Sequence, residues 1–255
     1  MKNILTVTKF TFLEVYRSRL MISLIFLAAG LVLVTFVASE FAYGAPAKVA
    51  LDIGLGVMSI SNLIISIFIG STLLIKEIEQ RTLYMVLSKP ISRSSFLLGK
   101  ILGLSTVLLI NSVVLGALSV FLFINYGGEY QQLFAWAIYF SFIEAFTVLV
   151  FAVFFSLLTN TTLSVVFTMT VFVAGHAINE TSKLLFVKFS DSLGMAMKVI
   201  FFVLPNFYRL NLKDYLLYQQ TIASEYLWMT QLYIAFYLLA LVSAVLFIFK
   251  NKNLD

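Results

Sequence analysis

Residues 53–75 read IGLGVMSISNLIISIFIGSTLLI, and residues 76–100, which follow at once, read KEIEQRTLYMVLSKPISRSSFLLGK. The first stretch has no charged residue over a length that crosses a hydrocarbon core of about 30 Å at roughly 1.5 Å per helical residue. The second carries five basic and two acidic residues. A charged stretch set against an apolar run of this length is the mark of a membrane span leaving the bilayer, so this junction decides the fold class. The chain reads as an all-α polytopic membrane protein. Its composition agrees: 61% of residues are hydrophobic and 11% charged, against about 25% charged in ordinary soluble domains.

Outward from this junction, apolar runs near 20–38, 53–75, 101–124, 133–158, 162–178 and 228–249 predict six spans. The first has an apolar core longer than the roughly 7–15 residues of a cleaved signal peptide, so it is expected to be a retained anchor. Lys2, Lys9, Arg17 and Arg19 precede span one, Lys76, Arg81, Lys89, Arg93 and Lys100 lie between spans two and three, and Lys250 and Lys252 follow span six. With six spans all three groups fall on one side. The short loops of the other side carry Lys48 alone, so the excess of Lys and Arg places both termini in the cytoplasm. The net charge of +5 is thereby explained as a topological signal, and no nucleic-acid partner is expected.

The chain reads as one transmembrane domain over residues 1–255 with three appended features. Residues 1–19 place Ile4, Leu5, Phe12, Val15 and Tyr16 on one helical arc and Lys2, Lys9, Glu14 and Arg17 on the opposite one, the pattern of an interfacial helix on the bilayer surface. Residues 76–100 form a cytoplasmic loop. Within it Glu77 and Arg81 stand at i and i+4 in the favourable order, Pro90 ends the helix they begin, and Ser92 or Ser94 can cap the next. Residues 179–227 form an extracytoplasmic segment. Its apolar part, 199–207, is interrupted by Pro205 and Asn206 and suits a re-entrant or interfacial helix, since a further span through 184–204 buries Lys188, Asp191 and Lys198.

Several chemistries are excluded. There is no cysteine, so disulfides and thiolate sites are absent. No GxxxxGK[ST] loop cradles a nucleotide, and the single histidine, His176, cannot build a multi-histidine metal site within one chain. Polar residues inside the spans nevertheless recur at helical spacing: Ser59, Asn62, Ser66 and Gly70 in span two, and Thr161, Ser164, Thr168 and Gly175 in span five. Each set lines one face, either as close helix packing or as a substrate path or dimer seam, to which Asn111 of span three and Glu144 of span four are also assigned.

Glu144 stands near the middle of span four, where a charge costs at least about 2.5–3.5 kcal/mol. It is either a coupling carboxylate facing a polar cavity or a hydrogen-bonded packing residue, with Asn111 or a serine as partner. His176 near the outer end of span five is expected to make a local polar contact. A membrane-embedded enzyme requires these two to converge in one pocket.

The stretch EIEQRTLYMVLSKPISRSSFLLGK resembles the loop motif of type 2 ATP-binding cassette (ABC) transporter permeases, with an acidic residue, an E-x-R/G-T-L core, a leucine-serine-x-proline turn and an R-xx-[FL]-LLGK exit. The nearest resemblance is to the small permeases of nitrous oxide reductase maturation and gliding-motility clusters. One departure is Gln80-Arg81-Thr82 where many members have Arg-Gly-Thr. The resemblance implies a permease in a bacterial cytoplasmic membrane, paired with a second copy of itself and served by a separate cytoplasmic ABC ATPase dimer that holds the ATP and magnesium. No cofactor is implied on this chain. Glu77, Glu79, Arg81, Thr82, Pro90 and Arg93 would then form or shape the ATPase contact, with the TNTT turn at 159–162 as a second. An exporter is one expected function. A force-transmitting or signalling subunit of the same architecture, acting on an extracytoplasmic partner through residues 180–226, is the other.

Overall fold

A computed structural model describes residues 2–17, 20–42, 44–79, 91–185 and 203–252. All its long elements are helices, and no strand occurs among the described residues. The helices are α1 (Lys2–Arg17), α2 (Leu20–Phe41), α3 (Pro46–Glu79), α4 (Arg93–Asn125), α5 (Leu133–Leu158), α6 (Thr161–Leu185), α7 (Lys213–Leu217) and α8 (Ser224–Asn251), with a single 3₁₀ turn at Phe207–Leu210. Six of them, α2 to α6 and α8, are long and apolar enough to cross a membrane. These match the six runs expected from the sequence, extended at most ends by a few residues.

Local chemistry sets several of the boundaries. Pro46 occupies the first position of α3, where its missing N–H costs nothing. Ser92 sits in extended geometry before α4 and its Oγ accepts from the Ser95 N–H at 3.2 Å, so of the two expected caps Ser92 is the one used. Asn160 caps α6 in the same way, its Oδ1 accepting from the Leu163 N–H at 3.0 Å. After α4 the chain turns through Gly127 at φ 88°, a left-handed conformation that a side chain would strain. Lys76 to Glu79 continue α3 without a break rather than opening a separate helix, because no helix-breaking residue separates them from the span. The remainder of that expected helix, with Arg81, Thr82 and Pro90, lies outside the described residues, as do 186–202.

Helix α5 is the hub: 61% of it is buried, against 17% of the span windows in α2 and α8. In lipid no hydrophobic force separates an apolar side chain from its surroundings, so close approach comes from small residues and hydrogen bonds. Both operate on α3. A Cβ added to Gly70 would stand 2.7 Å from the Ala152 Cβ of α5, and the Ser66 hydroxyl, one turn earlier, donates to the Ala145 carbonyl of α5 at 2.8 Å. Large apolar side chains of α2 and α8, such as Phe26, Leu33, Phe236 and Phe247, are exposed, as lipid-facing or partner-facing surface must be. Trp136 and Trp228 meet edge to face at 5.7 Å near the starts of α5 and α8, where an aromatic belt marks a membrane boundary.

The bundle therefore has two ends. One carries both termini, the edges of the 80–92 stretch and the turn between α5 and α6; we call it the terminal end. The other, the loop end, carries the α2–α3 and α4–α5 connections and the segment from 203 to 223. Helix α1 lies against the first turns of α4 at the terminal end. Val7 and Thr11 face Gly99 and Gly103, where an added Cβ would come within 2.6 Å of either side chain. The stripe turned into the protein is thus Val7, Thr11 and Val15, all buried, whereas Leu5, Phe10 and Tyr16 point outward. Of the apolar arc expected from the sequence, Val15 is buried in the protein and Leu5 and Tyr16 are left on the outer surface.

Candidate functional site

The site at the loop end grows from three helices and a cap. On α5, Ala137, Ser141 and Glu144 lie on one face at spacings of four and three. On α3, Leu55, Met58 and Ser59 present the facing wall, and on α6, Phe172 and His176 stand one turn apart. These residues line a cavity of about 210 Å³. Its cap is the segment from Leu210 to Lys213, whose Lys213 ammonium pairs with the Asp52 carboxylate of α3 at 2.7 Å.

The cap is held by tyrosines of α8. The Tyr237 hydroxyl donates to the Val203 carbonyl at 2.8 Å, Tyr233 Oη accepts from the Asn206 N–H at 3.1 Å, and the Tyr226 hydroxyl donates to the Arg209 carbonyl at 3.4 Å. Phe207 is then driven inward and fully buried. It lands where α6 has Gly175; a Cβ there would stand 2.6 Å from the Phe207 ring. The LPNF segment expected as an interfacial or re-entrant element is, over its described part, this tethered plug.

At the cavity floor His176 Nε2 lies 3.3 Å from Glu144 Oε1, and His176 Nδ1 lies 3.1 Å from the Phe172 carbonyl oxygen. A carbonyl only accepts, so Nδ1 carries a hydrogen. The Nε2–Oε1 contact is then a hydrogen bond only if one further proton lies between the two groups. As GluH with neutral imidazole or as carboxylate with imidazolium, the pair is formally neutral. That is how a carboxyl group is accommodated at this depth. The imidazole is fixed by rings, with Phe172 at 4.5 Å and Phe207 at 5.6 Å between centroids.

Glu144 thus has His176 as its partner rather than Asn111 or a serine, and His176 makes both the expected local contact and a tertiary one. The membrane-embedded enzyme requires this convergence, and the two do converge. Among the described residues, however, no hydroxyl is hydrogen-bonded to the pair; the nearby Ser141 Oγ accepts from the Asn62 amide at 3.3 Å. The arrangement can hold and move a proton.

The other intramembrane residues expected at a path or seam are distributed as follows. Ser59 lines the cavity with Glu144. Asn62 and Asn111 are joined through Asn111 Nδ2 donating to Asn62 Oδ1 at 2.8 Å, and Asn62 Nδ2 donates to Ser112 Oγ at 2.9 Å. Ser164 donates to the Ala152 carbonyl at 2.9 Å, and Thr168 donates to the Ser164 carbonyl at 2.7 Å. Asn62, Ser66, Asn111, Ser164 and Thr168 are buried between helices of a single chain. A further void of about 10 Å³ separates Glu144 from Asn62, the lower limit for one water.

The terminal end is built from charges. The Lys100 ammonium, nearly buried on α4, pairs with Glu77 of α3 and, at 3.2 Å, with Glu14 of α1. Burial holds the Glu77 carboxyl above the usual carboxylate range although the Lys100 ammonium beside it pulls the other way. Arg93, at the start of α4, donates to the carbonyls of Lys250 and Lys252 at 3.4 and 3.0 Å, and Lys252 donates to the Leu157 carbonyl. Cations therefore close the orphan carbonyls at the ends of α8 and α5. Of the six residues the resemblance assigns to an ATPase contact, Glu77 and Arg93 are thus engaged within the chain. Glu79 ends α3, and its side chain is outside the described residues, as are Arg81, Thr82 and Pro90. The roles of Lys100 and Glu14 are not visible in the sequence, where Lys100 is one more topological charge.

The geometry is that of a polytopic helical bundle with an intramembrane carboxyl–imidazole pair and a charge-tied terminal end. The family described as ABC-2 family transporter protein matches residues 16–244, and the chain belongs to it: it is a type 2 ABC transporter permease. No curated protein matches the chain.

Proposed function

We propose that this chain is the permease half of an ATP-driven exporter in a bacterial cytoplasmic membrane. Two copies stand side by side, both termini face the cytoplasm, and each copy is engaged through residues 77–93 by a separate ABC ATPase that carries the ATP and magnesium. The observation that carries this reading is the anchoring of both edges of the 80–92 stretch. Before it, Glu77 is bound to Lys100, which also binds Glu14 of α1; after it, Arg93 grips the end of α8. A push on the stretch is delivered to α1, α3, α4 and α8 together. Since the chain has no phosphate-binding loop of its own, that push is supplied from outside.

Expression of the tagged chain with its cassette ATPase tests this. The two co-purify, and Arg81→Glu abolishes permease-stimulated ATP hydrolysis while leaving expression intact. Undiminished hydrolysis in that variant overturns the reading. The force-transmitting alternative is favoured by one observation: α8 is gripped by Arg93 at one end and holds the 203–209 segment through Tyr226, Tyr233 and Tyr237 towards the other. An ATP-driven effect on an extracytoplasmic partner that survives filling of the cavity would select it.

A further inference from the structure

The cavity at the loop end holds a displaceable proton, one acid and an apolar wall, and these together specify a ligand. We propose that it is a binding site for a small organic cation, an ammonium with a compact apolar body, whose binding displaces the proton shared by Glu144 and His176.

The charges of the described residues around the site leave one vacancy for a cation and none for an anion. Lys213 is neutralised by Asp52 at 2.7 Å. Arg209 is turned over the Tyr233 ring of α8 at 5.6 Å. Helix α4 approaches from behind with Asn111 and Ser112, both uncharged and both engaged with Asn62. Among the described residues, helices α5 and α6 bring Glu144 and His176 and no other ionisable side chain to the lining. An anion would meet no free cation among the described residues. A neutral molecule would gain the apolar contacts of Leu55, Met58, Phe172 and Leu212 but nothing from the carboxyl group.

An ammonium replaces the shared proton in kind. In the empty site the pair is neutral with one proton between Nε2 and Oε1. In the occupied site the carboxylate accepts from the ammonium, His176 stays neutral with its hydrogen on Nδ1 towards the Phe172 carbonyl, and one proton leaves. Charge is conserved at zero in both states, so the low-dielectric floor never holds an uncompensated ion. The cavity volume of about 210 Å³ suits a single ring or short chain. As the chemistry of a cargo this rests on the export reading; as a binding site it does not.

Calorimetry on the full chain in phospholipid nanodiscs near pH 7 tests it, with 2-phenylethylammonium as the probe and 2-phenylethanol as its neutral counterpart. The ammonium is expected to bind at least about tenfold more tightly, the size of one charge-assisted hydrogen bond. Its heat should differ between phosphate and Tris buffers by the amount due to one proton released per molecule bound; the alcohol shows no such difference. Glu144→Gln removes both the preference and the proton release, whereas Ser59→Phe, which narrows the cavity and keeps both members of the pair, weakens both probes alike. Equal binding of the two probes, a buffer-independent heat, or no binding of either to the native chain overturns the proposal. The buffer comparison uses the native protein alone, so a poorly folding variant does not protect the idea. Stimulated ATP hydrolysis is measured on the same preparation: a chain that stimulates its ATPase but fails the calorimetry sinks this site and leaves the export reading standing.

Discussion

At the terminal end Lys100 is held by two carboxylates from two other helices and Arg93 by two carbonyls of a third. At the loop end Glu144 has one partner, His176, and an open cavity beside it. The first arrangement saturates its charges and ties helices together. The second keeps an ionisable group with a single partner beside a cavity at a depth where a charge is costly. On the proposed function, the first end transmits and the second receives. The difference also predicts that substitutions at the two ends fail in different ways.

The largest effect is expected at Lys100. Lys100→Met takes the ammonium away from the partly buried Glu77 carboxyl, and breaking a buried pair on one side costs about 3–5 kcal/mol; with Glu77 partly solvated, the lower end applies. Thermal unfolding in detergent should show the loss, and Lys100→Met combined with Glu77→Gln should recover most of it. No recovery would mean that Lys100 acts by packing alone. Next comes Gly103→Leu, whose Cβ would start 2.6 Å from the Thr11 Cβ. Overpacking of this kind costs about 1–3 kcal/mol, and a cross-link between α1 and α4 should report the displacement. A mutant cycle on Glu144 and His176 should give a smaller coupling, about 0.6–1.7 kcal/mol, as for other interhelical hydrogen bonds in membranes. Coupling as large as at Lys100 would erase the contrast between the ends.

Smallest are the effects at the exposed edge of the terminal knot. The Glu14 side chain is 70% exposed, so Glu14→Gln should cost less than about 1 kcal/mol. Glu77 has a pH signature of its own. Its folded-state value is raised, so the folded chain binds this proton more tightly than the unfolded chain. The group's contribution to stability is therefore fully present below the ordinary carboxylate value and declines as pH rises from there through the folded value. Glu77→Gln should flatten that slope in an unfolding series against pH.

The spans were legible because a helix crossing lipid must be apolar all round for about 20 residues, a demand made by the solvent and independent of the neighbours. The face of α3 that carries Asn62, Ser66 and Gly70 was legible for a similar reason, since small and polar residues in lipid collect where helices touch. So was Ser92, whose capping depends on a few adjacent residues. What could not be read depends on rotations and long separations. Glu144 and His176 lie 32 positions apart on helices whose relative turn is set by the whole bundle. The seating of Phe207 needs Gly175 on one helix and tyrosines on another. Lys100 looks like any basic residue at a membrane edge until α1 folds back along α4 and brings Glu14 to it.

The most direct test of the account is ATP hydrolysis by the assembled complex in nanodiscs, compared between Lys100→Met and Glu144→Gln. The account predicts that Lys100→Met leaves the ATPase bound but unstimulated, while Glu144→Gln keeps basal stimulation and loses only the response to ligand. Full stimulation in Lys100→Met, with the variant shown to be folded, would contradict it.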